Sequence, residues 1–438
     1  MTHFRCHSIR NSQRHIPSEW KICKIREVVS NKKNAIVDGP FGSQMKVSEF
    51  VNEGIPVIEL LNIKNDKFYP QFRRFISEEK FKQLQRSMVE GGDIIISKTG
   101  TLGMIAMVPK YIKKAIITSR LAKISLDPLK IDLLYGYYAL IFLRLHNYWE
   151  NVGSGSTMKV LTINKIANAP IPLPPLPEQK KIAEILRTVD EAIDKVEEAI
   201  ERTERLKKGL MQELLTKGIG HREFKDTDIG RMPKEWEVVR LGEIGRVVTG
   251  TTPSTKKMDY WIPPEVVWVT PADLSKVMFS VSDSERKVSK KALKECNLNI
   301  LPEGSVIMST RAPVGYIALV RTSLVFNQGC KGLILNEQRV RGEFLVYYLR
   351  TMVKKLQSLS GGSTFKELSK DSLEKVSLPL PPLHEQKQIT EILMTVDNKL
   401  ELLREKKKTL EQLKKGLMND LLTGRRRVKV EPPKETLF

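Results

Sequence analysis

The chain has 438 residues, 41% hydrophobic and 28% charged, with 73 Lys+Arg against 51 Asp+Glu and a formal net charge of +22 at pH 7. That length predicts two to four domains with enough apolar content for real cores, and the charge favours an extended polyanion as partner. The run Leu133 to Leu143 (LLYGYYALIFL) is far short of the ~20 apolar residues a membrane span needs, and residues 1–20 lack the apolar stretch of a signal peptide.

In chain order, residues 1–16 read as an N-terminal extension. His3, Cys6 and His7 lie close together there but lack the fourth ligand of a zinc site, so no metal is expected. The four cysteines, Cys6, Cys23, Cys296 and Cys330, show no CxxC pairing, which predicts a reduced, cytoplasmic protein. Residues 17–155 form a first globular domain. Within it, GPFGSQMK (39–46) sets polar and basic side chains beside glycines, where the backbone can approach a phosphate closely. GGDIIISKTGTLGMIAMV (91–108) predicts two β-rich runs, Asp93 to Ser97 and Met104 to Val108, joined by a polar loop from Lys98 to Gly103. A helical spacer (156–218) and a linker (219–232) lead to a second domain (233–361). There TGTTPSTKK (249–257) and the loop Thr310 to Gly315 repeat these features. A second helical spacer (362–424) and a basic tail (425–438) close the chain.

The spacers are copies of one another. PPLPEQKKIAEILRTVDEAIDKVEEAIERTERLKKGLMQELLT (174–216) recurs 207 positions later as PPLHEQKQITEILMTVDNKLELLREKKKTLEQLKKGLMNDLLT (381–423), ungapped, with 24 of 43 positions identical. The proline pairs at 174–175 and 381–382 stop the preceding strand. Ile182, Leu186, Val189, Ile193, Val196, Ile200, Thr203 and Leu210 then follow steps of four and three, with Leu206 filling in beside Lys207. Ile389, Leu393, Val396, Leu400, Leu403, Leu410, Leu413, Leu417 and Leu421 repeat the stripe. Each stripe is a seam that must be buried against another helix. Such a helix spans on the order of 57 Å, and with a domain between the copies an antiparallel intramolecular coiled coil is the natural pairing. The expected fold class is α+β: two duplicated globular domains separated by two long helices.

Charge separates these parts. Residues 178–216 and 385–423 together contribute −1, leaving +23 on the rest of the chain, where it can face phosphates. The domains correspond as well: HIPSEW (15–20) with RMPKEW (231–236), the two strand–loop–strand segments, and GSTMK (155–159) with GSTFK (362–366). Short polar side chains and a cation on a strand-to-strand loop suit entry into a DNA groove. The candidate DNA contacts are Ser43, Gln44, Lys46, Lys98, Thr99 and Arg120 in the first domain. In the second they are Thr251, Thr252, Ser254, Lys256, Thr310, Arg311, Gln328 and Lys331.

An enzymatic reading has little support. Glu178-Gln-Lys180 and Glu385-Gln-Lys387 spell the ExK of metal-dependent nucleases, but residues 151–177 hold no acid before the first copy. Acids are favoured at helix N-termini, which accounts for the repeated Glu. Neither a GxxxxGK[ST] loop nor an Asn/Asp-Pro-Pro-aromatic motif is present, so the chain is expected to be non-catalytic.

GPFGS with Lys46, the TTPS…YW…WVTPADL series (252–274), the GDIIIS…G and GSVIMSTRAPVG strands, FNQG (326–329) and the PLPPLxEQxxI helix openings resemble the specificity subunit of type I restriction-modification systems over about residues 17–424. The resemblance implies that each globular segment is a target-recognition domain for one half of a bipartite double-stranded DNA site. The paired helices would set the distance between half-sites and dock two modification (methyltransferase) subunits. Those partners would bind S-adenosylmethionine and methylate adenine N6 after flipping the base out, while restriction/translocase subunits would use ATP and Mg. The chain itself would carry no cofactor. Ile117-Thr118-Ser119-Arg120 departs from the Asn327-Gln328 pattern, as expected if the domains read different sequences. The alternative is an architectural or regulatory DNA-binding protein without methylase partners.

Overall fold

The computed structural model describes residues 16–155, 159–311, 313–361 and 367–429. The chain divides into two compact units, Met1–Glu197 with Lys406–Phe438, and Glu198–Glu405. The cluster His3, Cys6 and His7 and most of both GST(M/F)K segments lie outside the described residues. The helices that organise the units are α1 (Leu133–Leu145), α2 (Leu176–Lys217), α3 (Gly342–Thr351) and α4 (Leu383–Leu421).

In the first unit, a four-stranded sheet runs in the order Ile105–Met107, Ile94–Ser97, Leu121–Ile124, Ile36–Asp38, beside a five-stranded sheet centred on Ile55–Ile58. The run Ile94-Ile95-Ile96 is fully buried, because both faces of its strand are covered: Ile94 and Ile96 join the core under α1, Ile95 the core on the other side. Strand Pro170–Leu173 pairs antiparallel with Lys21–Lys24. Residues 156–173, expected in the spacer, therefore include a strand of the domain, and the long helix begins at Leu176.

The second unit repeats the frame. Gly245–Thr249, Cys330–Leu335, Val306–Thr310 and Val314–Val320 are neighbouring strands in that order, and Glu237–Arg240 pairs with Ser377–Leu380. The ladders of the two frames share one register. Leu121 lies opposite Ser97 and Cys330 opposite Ser309; Ala122 lies opposite Asp38 and Lys331 opposite Thr249. Both loop serines do one job. The Ser97 hydroxyl accepts from the Met104 N–H and donates to the Thr101 carbonyl, and Ser309 does the same with Tyr316 and Pro313.

Each unit contains an antiparallel stretch of the helix pair. In the first, Lys414 meets Asp190 at 2.6 Å and Lys407 meets Glu197 at 2.8 Å. In the second, Lys207 meets Asp397 at 2.5 Å and Arg404 meets Glu204 at 2.6 Å. The seam residues Ile193, Val196, Thr203, Val396 and Leu400 are buried, while Val189, Leu210, Leu403 and Leu417 are half-buried. Ile182 and Leu186 instead join the globular core of the first unit, and Ile389 and Leu393 that of the second. The apolar stripe thus serves two purposes, seam along the middle of each helix and domain core toward its ends, where Leu421 also joins the first unit's core and Leu210 packs against that of the second. Leu206 and Leu413, expected beside or in the seam, are 52% and 49% exposed; the inward positions at this register belong to the next residues, Lys207 and Lys414, which are half-buried and paired with Asp397 and Asp190.

Candidate nucleic-acid interface

The two polar loops flanking the shared frame are held by glycines that nothing else can replace. A Cβ on Gly250 would lie 2.1 Å from the Asn327 carbonyl oxygen, and one on Gly39 would lie 2.2 Å from the Thr118 backbone. The chain passes this close because the loop hydrogen-bonds across the gap. Thr251 N–H donates to Phe326 O at 2.9 Å in the second domain, and Gly39 N–H donates to Leu121 O in the first.

In the second domain the loop after Gly250 is then fixed from below by two indoles. Trp268 Nε1 donates to Thr251 O at 3.1 Å, and Trp261 Nε1 donates to Ser254 O at 3.2 Å. Thr252, Ser254 and Lys256 remain exposed, and the Thr252 hydroxyl is hydrogen-bonded to the exposed Gln328 side chain. Arg311 lies half-exposed beside Gly329 and 3.7 Å from Glu367. Thr251, Thr252, Arg311 and Gln328 converge on one polar surface. Thr310 and Lys331 sit beneath it: Thr310 is fully buried, and Lys331 is 4% exposed and paired with Glu367 at 3.3 Å. These two support the surface rather than face solvent.

The first domain differs. Ser43, Gln44 and Lys46 are exposed on consecutive turns, with the Phe41 N–H donating to Gln44 Oε1. This loop borders a cavity of about 470 Å³ that Thr118, Ser119 and Arg120 also line. Arg120 is exposed. Arg74 lines the same cavity with its guanidinium over the Phe50 ring at 4.8 Å. Lys98 does not fit the expectation of a groove-reading cation, since it is 7% exposed and paired with Asp38 at 2.8 Å. Its exposed counterpart is Arg86, 3.4 Å from the same carboxylate. Sequence reading passed over Arg74 and Arg86 because neither lies in a repeated motif.

The expected equivalence of Lys98 and Arg311 also shifts by one residue. Lys98 N–H donates to Arg120 O, as Thr310 N–H donates to Gly329 O. Leu161 N–H donates to Lys98 O, as Leu368 N–H donates to Thr310 O. Lys98 therefore stands where Thr310 does, and half-buried Thr99 stands at the position of Arg311.

The ExK signature resolves into architecture. Glu178 is buried and accepts from Trp20 Nε1 at 3.0 Å and from both Nε and an Nη of Arg427. Glu385 is buried and accepts from Trp236 Nε1 at 2.8 Å, the Ile219 N–H and the His221 ring. Carboxylates so engaged have no room for a metal, and among the described residues no group of three or more His, Cys, Asp or Glu side chains is placed to hold one. Their neighbours Gln179 and Gln386 bridge each helix start to the domain, through the Asp132 N–H and the Arg341 N–H, both at 2.8 Å. Farther along, Tyr138 donates to Asp190 at 2.8 Å and Tyr347 to Asp397 at 2.7 Å. Burial, with the adjacent aspartate, pushes both phenols well above their ordinary range.

Among the described residues no helix is long and apolar enough to cross a membrane. Residues 17–205 and 233–412 each match the type I restriction modification DNA specificity domain. The chain is 28% identical over 422 residues to the putative type I restriction enzyme MjaX specificity subunit of Methanocaldococcus jannaschii, covering 94% of this chain and 95% of that one. It is 30% identical over 330 residues to the MjaVIII specificity subunit of the same organism, covering 72% and 76%. Its fold is similar to the crystal structure of a type I S subunit from M. genitalium, with a TM-score of 0.56 at 16% identity over 93% of this chain and 96% of that one. With two matches that together span most of its length, two frames of one register and a long helix repeated at a fixed offset, the chain belongs to the family of type I restriction-modification DNA specificity subunits.

Proposed function

We propose that this chain is the DNA-recognition subunit of a type I restriction-modification complex. Each of its two domains reads one half of a bipartite double-stranded site, without catalysing a reaction itself. The observation that carries this reading is the pair of glycine-pinned polar loops, 39–46 and 250–257, one on each copy of a common frame. The frame supplies the same scaffold twice and the loops differ, which is what two half-sites of unlike sequence require. Backbone contacts from Lys46 and Lys256 position the domain on phosphates, and Gln44, Arg120, Gln328 and Arg311 have the donor and acceptor groups that distinguish bases in the major groove. The excess of positive charge off the helices supplies the salt-dependent, sequence-independent part of the affinity.

Two modification subunits dock on the helical parts in this reading, and restriction/translocase subunits join them. S-adenosylmethionine, ATP and Mg belong to those partners. The buried, fully engaged states of Glu178 and Glu385 support a chain without chemistry of its own. The test is a domain exchange. Replacing residues 17–173 by the equivalent segment of a relative and mapping methyladenine in a host carrying the partner subunits is expected to change the first half-site and leave the second intact. A map in which both half-sites change would overturn the assignment of one domain to one half-site.

A further inference from the structure

In the second domain Arg286 lies with its guanidinium carbon 3.7 Å from the centroid of the Trp261 ring and 5.5 Å from that of Trp268. The two indoles meet edge to face at 5.0 Å and 87°. The strand Val266–Val269 carries Trp268 and pairs with Lys287–Val288, the strand that follows Arg286, through Val267 opposite Lys287. Trp268 N–H is bonded to the Ser284 hydroxyl and to the Arg286 carbonyl, so the backbone delivers the arginine to the ring. Arg286 is exposed. The acids beside it are already engaged, Glu285 with Lys276 at 2.9 Å and Asp283 with Lys287 at 3.1 Å. Among the described residues Arg286 forms no ion pair.

An exposed guanidinium without a carboxylate, held 3.7 Å over an indole, loses conformational freedom while its N–H groups stay open to a ligand. A contact over the ring uses the face of the guanidinium rather than its N–H edge, and that edge matches paired acceptors. The ring beneath it also holds the Ser254 carbonyl, and its neighbour holds that of Thr251. The platform therefore ties Arg286 to the loop bearing Thr252, Ser254 and Lys256.

We infer that Arg286 is a preorganised DNA contact of the second domain, its guanidinium edge meeting two acceptor atoms of the duplex, either phosphate oxygens or the O6 and N7 of a guanine. This rests on the DNA-recognition reading of the chain and adds to it a residue outside every repeated motif. Because the side chain is already oriented, little ordering entropy is lost when it binds.

The experiment uses the full-length chain with its modification subunits, selected against a randomised duplex library and titrated at several salt concentrations. Arg286→Ala is expected to weaken binding by fivefold or more, and Arg286→Lys is expected not to restore it, since an ammonium neither stacks flat nor bonds in a fork. If the acceptors are phosphate oxygens, the loss is equal for every sequence and the slope of log K against log salt falls by about 0.9. If they belong to guanine, the loss appears at one position of one half-site. Arg286→Ala binding within twofold of wild type, with the same slope and the same selected site, would overturn the inference, as would full rescue by lysine. A wild-type complex that selects no site at all would instead defeat the DNA-recognition reading. Thermal melting of Arg286→Ala, expected to match wild type because the side chain is exposed, separates contact loss from misfolding.

Discussion

Trp236 donates its indole N–H to the buried carboxylate of Glu385 at 2.8 Å, joining the first strand region of the second domain to the root of the helix that leaves it. The two residues are 149 positions apart in the chain. Trp20 and Glu178 form the same bond in the first unit at 3.0 Å. The second acceptor oxygen takes different partners: His221 and the Ile219 N–H in one copy, Arg427 in the other. The chain after Gly218 and the chain after Gly424 thus perform one task, closing the same carboxylate with unrelated side chains.

Removing that carboxylate should act on stability alone. Glu385→Ala leaves three donors without their acceptor in a buried site, and each uncompensated group costs about 1–3 kcal/mol. The expected outcome is a melting transition of the second unit lowered by several degrees, with the first unit's transition unchanged. Glu385→Gln keeps one oxygen and is expected to lose less. Differential scanning calorimetry of the two variants checks the order.

A different loss follows from Asp38, whose carboxylate holds Lys98 at 2.8 Å and Arg86 at 3.4 Å. Asp38→Asn strands a buried ammonium, and breaking one side of such a pair costs roughly 3–5 kcal/mol. Arg86 is also freed. The first half-site in a methyladenine map is therefore expected to relax or change while the second stays as it was. A map with both half-sites unaltered would show that Asp38 supports the fold without shaping the reading surface.

Arg311 tests the opposite domain. Held only at 3.7 Å by Glu367 and half-exposed, it is free to exchange that carboxylate for DNA. Arg311→Ala should weaken binding by about 1–3 kcal/mol and relax one position of the second half-site. Glu367→Gln would free Arg311 but also take the carboxylate from buried Lys331, so it is expected to lower the melting temperature of the second unit, whereas Arg311→Ala leaves the Lys331–Glu367 pair in place; binding is measured by fluorescence anisotropy on a duplex carrying both half-sites.

Cysteine chemistry gives a pH test. Burial pushes the Cys23 thiol up to about 11 and raises Cys330 further. A raised thiol pKa keeps the neutral, unreactive form until the pH approaches that value. At pH 8 the folded Cys6→Ser protein is expected to alkylate first at half-buried Cys296, with Cys23 and Cys330 reacting only on unfolding. Mass spectrometry of a timed iodoacetamide reaction reads the order directly.

The duplication, the heptad-like stripe and the charge division were all visible in the chain, because they are periodic or additive properties that need no third dimension. So were the glycine-flanked loops, since residues such as Gly39 and Gly250 declare a close backbone approach without saying to what. Which cation faces solvent was decided only by tertiary structure. Lys98 and Arg311 look alike in their loops, yet one is buried on Asp38, a residue 60 positions away, and the other reaches the surface. The stripe from Ile182 to Leu421 had the same ambiguity: periodicity shows that a face is buried, and only packing shows that Ile182 and Leu393 are domain core whereas Ile193 and Leu400 lie along the helix pair. Glu178 and Glu385 spell half of a nuclease motif, and only the fold puts Trp20 and Trp236 on their oxygens. A carboxylate's role is set by the partners that fill its lone pairs, and those partners are brought to it by the fold.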